Sequence, residues 1–150
     1  MTRVLIADDN AIFREVLKRH VVSLFGFAVI EAQTGLEAVA LAESERPDLI
    51  LLDLVMPGID GIEAIRRIRA VPALADVPII FLSAETDRCV WAEALTAGAN
   101  DFMPKPYHRQ ELGARISLHL KLASLGQELR RQNELLTRER YLAGCVQRQL

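Results

Sequence analysis

The run Leu49-Ile50-Leu51-Leu52 contains no polar residue and stops on Asp53, ahead of Leu54-Val55-Met56-Pro57-Gly58. A strand that is apolar at every position has no face to offer water. It must be covered on both sides, as strands of a parallel sheet are. A carboxylate at the end of such a strand lies at the carboxyl edge of the sheet, where α/β folds bind ligands. Three further segments repeat the arrangement. Val4-Leu5-Ile6-Ala7 ends on Asp8 and Asp9, Val77–Leu82 ends on Ser83, and Asn100-Asp101-Phe102-Met103 runs into Pro104-Lys105-Pro106. The pattern therefore gathers three carboxylates, a hydroxyl and an ammonium group on one edge.

Strand and helix signals alternate along the chain. The spacing predicts a strand over 2–7, then a helix over 11–24 capped by Asn10, with Ile12, Val16, Leu17 and Val21 as its apolar face. After the break at Gly26, Phe27–Glu31 reads as a strand. Thr34 and Glu37 form a capping box for a helix to Ser44, with Leu36, Val39 and Ala40 facing inward. Helices over 61–70 and 86–97 and a last helix from about His108 complete the pattern, with Gly98 closing the fourth. Five strands separated by helices predict an α/β fold, a doubly wound five-stranded parallel sheet with helices on both faces.

Half of the residues are hydrophobic, enough for a full core, and 150 residues suit one domain with an extension. Net charge is −2, which suggests no direct nucleic acid binding and no anionic membrane surface. The charge is divided, however: residues 1–108 hold 10 Lys+Arg against 16 Asp+Glu, and residues 109–150 hold 8 against 4. A boundary near residue 108 follows. Cys89 and Cys145 have neither metal-ligand spacing nor a disulfide framework around them. With no signal-peptide pattern and no apolar run of membrane-spanning length, a cytoplasmic location is expected.

Crowded carboxylates repel one another and need a counter-charge. Mg²⁺, a hard cation that prefers oxygen ligands, is the expected cofactor, with Asp8, Asp9 and Asp53 able to ligate it. Asp53 could then attack a phosphoryl group and form an acyl phosphate, with Lys105 and Ser83 stabilising the transferred group. Ser83 could equally cap the following helix, and Phe102 could be an ordinary core aromatic. His20, His108 and His119 read as exposed or helix-surface residues, and Trp91 as a packing or surface residue. A phosphohydrolase on such a sheet would place an acid–base Asp two residues after its nucleophile; Val55 stands there instead, which argues against turnover.

Taken together, Ala7-Asp8-Asp9-Asn10, Leu52-Asp53, Met56-Pro57-Gly58-Ile59-Asp60-Gly61, Phe81-Leu82-Ser83-Ala84, Gly98-Ala99-Asn100-Asp101-Phe102 and Lys105-Pro106 resemble the receiver domain of two-component response regulators. The resemblance covers about residues 2–122. It implies the flavodoxin-like strand order 2-1-3-4-5 and Asp53 as phosphoacceptor from a sensor histidine kinase, a phosphotransfer protein or a small phosphodonor. It also implies Mg²⁺ on Asp8, Asp9, Asp53 and the Val55 backbone carbonyl. Ser83 would bind the phosphoryl group, Phe102 would be the switch aromatic, and Lys105-Pro106 would be cis. The chain would then be a signalling phosphoacceptor, with self-phosphorylation and autodephosphorylation as its only chemistry. Two departures from common variants stand out: the switch hydroxyl is Ser rather than Thr, and the aromatic Phe102 has no hydroxyl.

The domains expected are a receiver over 1–122 and a C-terminal helical extension over 118–150. In the extension, Leu118, Leu122, Leu125, Leu129, Gln132, Leu136, Glu139, Ala143, Val146 and Leu150 recur at alternating four- and three-residue steps, a heptad seam with polar interruptions. The expectation is a dimeric coiled coil leading to an output module beyond residue 150, either a PP2C-type phosphatase or a diguanylate cyclase. The stripe could instead fold back on its own domain. In that case a stand-alone receiver acting by protein–protein binding is the alternative.

Overall fold

A computed structural model of the chain describes the backbone of residues 1–149 and the side chains of residues 1–140. Five strands alternate with helices: β1 (Arg3–Ala7), α1 (Ala11–Phe25), β2 (Ala28–Ala32), α2 (Gly35–Glu45), β3 (Leu49–Asp53), α3 (Gly61–Ala70), β4 (Ile79–Ser83), α4 (Arg88–Ala97), β5 (Asp101–Pro104) and α5 (Arg109–Gln149). All pairings are parallel and the strand order is β2-β1-β3-β4-β5. This is the doubly wound parallel sheet that the sequence pattern predicts, in the flavodoxin-like strand order that the family resemblance implies.

Alternate residues of each strand feed two separate cores. Leu5, Ala7, Ile50, Leu52, Ile79 and Phe81 point to the face covered by α2, α3 and α4, where they meet Ala38, Ala42, Ile65, Ile68 and Ala94. Val4, Ile6, Leu49, Leu51, Ile80 and Leu82 point to the other face, against Leu17 and Val21 of α1 and Leu112 and Ile116 of α5. Every residue of β3 and β4 is buried, so their carboxyl ends, Asp53 and Ser83, are fixed by packing on both sides.

The helix faces differ in detail from the sequence expectation. On α1 two apolar stripes compete. The one that packs is Phe13, Leu17 and Val21, while Ile12 is 78% exposed and Val16 is also exposed. On α2 the buried positions are Gly35, Ala38 and Ala42, and Leu36 is exposed. Small residues win there because the helix lies close: a Cβ on Gly35 would meet Ile59 Cγ1 at 2.7 Å. Asn10 and Thr34 cap their helices as expected. The Glu37 carboxylate, however, accepts from the Gln33 N–H rather than from that of Thr34. Helix α4 starts at Arg88 with Asp87 as its N-cap, not at residue 86, and Ser83 takes no part in capping it. A 3₁₀ turn, Pro72–Leu74, has no counterpart in the sequence reading.

His108 is exposed as expected, but His20 and His119 are more engaged than a surface assignment allows. On β5, Asp101 accepts from Arg115 Nη1 at 2.6 Å and lies 2.9 Å from His119 Nε2. His20 Nδ1 lies 2.6 Å from the Tyr107 hydroxyl, whose pKa burial pushes up to about 12.

The chain divides into two compact units, residues 1–120 and 121–150. In the second unit Leu122, Leu125, Leu129 and Leu136 are all exposed, and so is Leu135 beside the seam. The seam positions Ala143, Val146 and Leu150, and Cys145, lie outside the residues whose side chains are described. Among the described residues no helix is long and apolar enough to cross a membrane.

The Asp101 cluster carries a pH signature. Burial alone would raise the Asp101 pKa, but hydrogen bonds from His119, Arg115 and its neighbour's backbone N–H outweigh it and hold the carboxyl below its ordinary value. A depressed folded-state pKa stabilises the fold above the unfolded value, and that contribution is lost as pH falls through the folded one. Asp101→Asn should therefore cost about 1–3 kcal/mol at neutral pH. The gap to the wild type should close on acidification, as urea unfolding at a series of pH values would show; a gap independent of pH would contradict it.

Candidate functional site

The carboxyl edge of the sheet assembles the site from four strand ends. Asp8 follows β1 and is 2% exposed, Asp53 ends β3 at 8%, and Ser83 ends β4 at 2%. Lys105 follows β5, and its peptide bond to Pro106 is cis. Asp9 sits at the rim, exposed. The sequence pattern singled out each of these positions, and the fold brings them all to this edge.

Carboxylate oxygens of Asp8, Asp9 and Asp53 all lie within 4.8 Å of one another. At such separation the repulsion between ionised groups is large, and Lys105 offsets it: Nζ lies 2.9 Å from Asp8 Oδ2 and 3.1 Å from Asp53 Oδ2. Burial nevertheless pushes the Asp53 pKa above its ordinary value. Lys105 and a hydrogen bond from the Val55 N–H at 3.2 Å pull it back, and the Asp8 charge adds to the rise. The Asp53 carboxyl is thus harder to ionise than an ordinary one, and Lys105 is placed to offset part of that cost. Asp8 is braced by the Asn10 N–H at 2.9 Å, and Arg14 Nη1 donates to the Asp8 carbonyl at 2.7 Å.

The loop after Asp53 is held tightly. The Gly61 N–H donates to the Leu54 carbonyl at 2.8 Å. A Cβ at Gly61 would meet the Asp53 carbonyl oxygen and Leu54 Cα at 2.5 Å, so only glycine permits this approach of α3 to the end of β3. Val55 is 70% exposed at the mouth of the site. A cavity of about 430 Å³ opens over Asp53, lined by Val55, Ala84, Glu85, Thr86 and Lys105.

All three donor groups that crowd together are oxygen ligands, which suits a small hard cation. The cluster could bind a metal, and its chemistry fits Mg²⁺.

Sequence reasoning missed a set of aromatic contacts. The Phe13 ring lies 4.1 Å from Lys105 Nζ, an attractive cation–π geometry, and meets Tyr107 edge-on at 5.9 Å. Trp91 stacks on Phe102. The helical stripe Phe13-Leu17-Val21 was the available signal for Phe13; nothing local in the sequence marks Trp91, because its partner is eleven residues away on another element.

A five-stranded 2-1-3-4-5 sheet with an acidic cluster and a lysine at its carboxyl edge defines a flavodoxin-like α/β domain with a polar site at the sheet edge. The comparisons agree. Residues 4–117 match the family described as "Response regulator receiver domain". Among curated proteins, "Response regulator MprA" of Mycobacterium sp. (strain KMS) is 39% identical over 122 residues, 81% of this chain and 52% of that protein. The protein of the same name from Mycolicibacterium vanbaalenii is 40% identical over 119 residues, 79% of this chain and 50% of the relative. The chain spans about half the length of the curated relatives it matches. Among solved structures, the receiver domain of sensor histidine kinase PA1611 from Pseudomonas aeruginosa, with magnesium coordinated in its active-site cleft, is 35% identical, with a TM-score of 0.75 over 80% of this chain and 98% of that one. The chemotaxis response regulator CheY4 of Vibrio cholerae is 28% identical, with a TM-score of 0.74 over 79% of this chain and 98% of its own. The chain belongs to the response regulator receiver family of two-component signalling.

Proposed function

We propose that Asp53 is the phosphoacceptor of this receiver, taking a phosphoryl group from a sensor histidine kinase or a phosphotransfer protein. The observation that carries this is the convergence of Asp8, Asp9 and Asp53 within 4.8 Å, with Lys105 Nζ 3.1 Å from the Asp53 carboxylate. In the step, an Asp53 carboxylate oxygen bonds to phosphorus. The bond from phosphorus to the donor imidazole breaks, and its electron pair stays on the imidazole nitrogen. Mg²⁺, held by Asp8, Asp9, Asp53 and the Val55 carbonyl, would supply the positive charge that lets an anionic donor approach. Lys105 neutralises charge on the transferred group, and Ser83 offers it a hydroxyl donor. Ser83 and Phe102 then serve as the switch. The chain is a phosphoacceptor and not a turnover enzyme: Val55, not an acid–base carboxylate, stands two residues after Asp53.

Incubation with acetyl phosphate and Mg²⁺, followed by intact-mass measurement, tests the assignment. One phosphoryl adduct is expected on the wild type and none on Asp53→Asn, whose amide is isosteric but not nucleophilic. Equal adduct yield on the two proteins refutes it.

The receiver further acts through its C-terminal extension, residues 118–150, as a parallel homodimeric coiled coil feeding an output module, of PP2C-type phosphatase or diguanylate cyclase kind. Exposure of Leu122, Leu125, Leu129 and Leu136 along one heptad seam supports the pairing. The greater length of the curated relatives supports a further module. Each buried leucine contributes about 1.5–3 kcal/mol, enough for several pairs to offset the cost of association. Light scattering at tens of micromolar, roughly the micromolar-affinity regime, should report a dimer for the chain and a monomer for Leu125→Asp combined with Leu129→Asp. A monomeric wild-type chain would favour the stand-alone receiver.

A further inference from the structure

A continuous chain of contacts leaves the site through the β4–α4 connection. Ser83 Oγ accepts a hydrogen bond from the Glu85 N–H at 2.9 Å. The carbonyl of that same Glu85 accepts from the indole Nε1–H of Trp91 at 2.9 Å. The Trp91 ring stacks on Phe102 with centroids 4.6 Å apart and planes at 28°, and the far side of the path ends on Phe81, 5.9 Å from Phe102. Ser83 is buried at the end of β4, and the residues that follow it, Ala84, Glu85 and Thr86, line the cavity over Asp53.

Each contact has a mechanical consequence. A serine hydroxyl has one donor and two acceptor sites, so Ser83 can turn its O–H to a phosphoryl oxygen while still accepting from Glu85. Movement of Ser83 toward Asp53 therefore draws Glu85 with it. The indole N–H is a donor only, and Glu85 supplies its partner, so the Trp91 ring must follow that carbonyl or lose the bond. Phe102 has no hydroxyl with which to hold a position of its own; its place is set by the rings it stacks on. Trp91 and Phe102 are both half-buried, in contrast to the fully enclosed Phe81, so the pair is free to shift while Phe81 is not.

We infer that Trp91 is a positioning residue that couples the β4–α4 loop at Ser83 to the Phe102 ring, through the Glu85 carbonyl–indole hydrogen bond and the stack. The inference rests on the Ser83 and Phe102 switch assignment proposed above and adds the residue that connects them.

Two NMR measurements on the full chain, with beryllofluoride and Mg²⁺ as the phosphoryl mimic, test it. The chain has one tryptophan and five phenylalanines, so the indole N–H gives one signal, and 4-fluorophenylalanine labelling gives five that a Phe102→Leu spectrum assigns. In the wild type, both the indole signal and the Phe102 signal should move on addition of beryllofluoride. In Trp91→Phe, which keeps a ring for stacking but lacks the N–H, acetyl phosphate should still phosphorylate Asp53 in wild-type yield, while the Phe102 shift falls to the level seen in Ser83→Ala. A Phe102 signal that moves as far in Trp91→Phe as in the wild type overturns the role of Trp91 and leaves the switch assignment standing. An indole signal that stays still in the wild type while Phe102 moves does the same. A Phe102 signal that stays still in the wild type while beryllofluoride binds overturns the switch assignment, and the role of Trp91 with it.

Discussion

Three carboxylates held within 4.8 Å at the edge of an apolar sheet form the constraint around which the rest of this structure is arranged. Left alone, such a cluster would protonate or force its strands apart. Lys105 prevents this by bridging Asp8 and Asp53, and Lys105 is in turn fixed from several directions. Its backbone N–H donates to the Ser83 carbonyl at 3.0 Å, and the Phe13 ring of α1 lies against its ammonium group. The lysine thus ties α1 and the ends of β1, β3 and β4 to the loop after β5. Burial, with the Asp8 charge added to it, keeps the Asp53 pKa above its ordinary value despite Lys105.

Burial explains why the site can be so crowded with charge and still ordered. The strands that carry Asp53 and Ser83 are covered on both faces, so neither end can relax sideways. Glycine at position 61 lets α3 press on the Asp53–Leu54 backbone from the third direction. By contrast, the connection from Ala84 to Asp87 is exposed along its whole length. A buried strand end followed by an exposed loop is a suitable arrangement for a local change at Ser83 to pass toward α4 and β5.

Most of the sheet and the polar site were legible because they rest on short-range rules. An all-apolar strand followed by a carboxylate is visible within five residues, and Asn10, Thr34 and Asp60 cap their helices through bonds two or three residues long. The errors lie where tertiary contact decides. The choice between the Ile12–Val16 and Phe13–Leu17–Val21 stripes on α1 depends on which face meets the sheet, and periodicity allowed both. The small residues of α2 outrank Leu36 because the helix is pressed close. His119 reaches Asp101 across eighteen residues and His20 reaches Tyr107 across eighty-seven, distances over which no local pattern carries information.

The claim that the acidic edge is a divalent cation site, with Lys105 serving the phosphoryl group and not the ion, is tested most directly by calorimetric titration of Mg²⁺ into three proteins. The wild type should bind one ion, Asp9→Ala should bind it markedly more weakly, and Lys105→Ala should bind it at least as well as the wild type, because removal of the ammonium group leaves Asp8 and Asp53 with an uncompensated negative charge. Unchanged affinity in Asp9→Ala, or loss of affinity in Lys105→Ala, would contradict that division of roles.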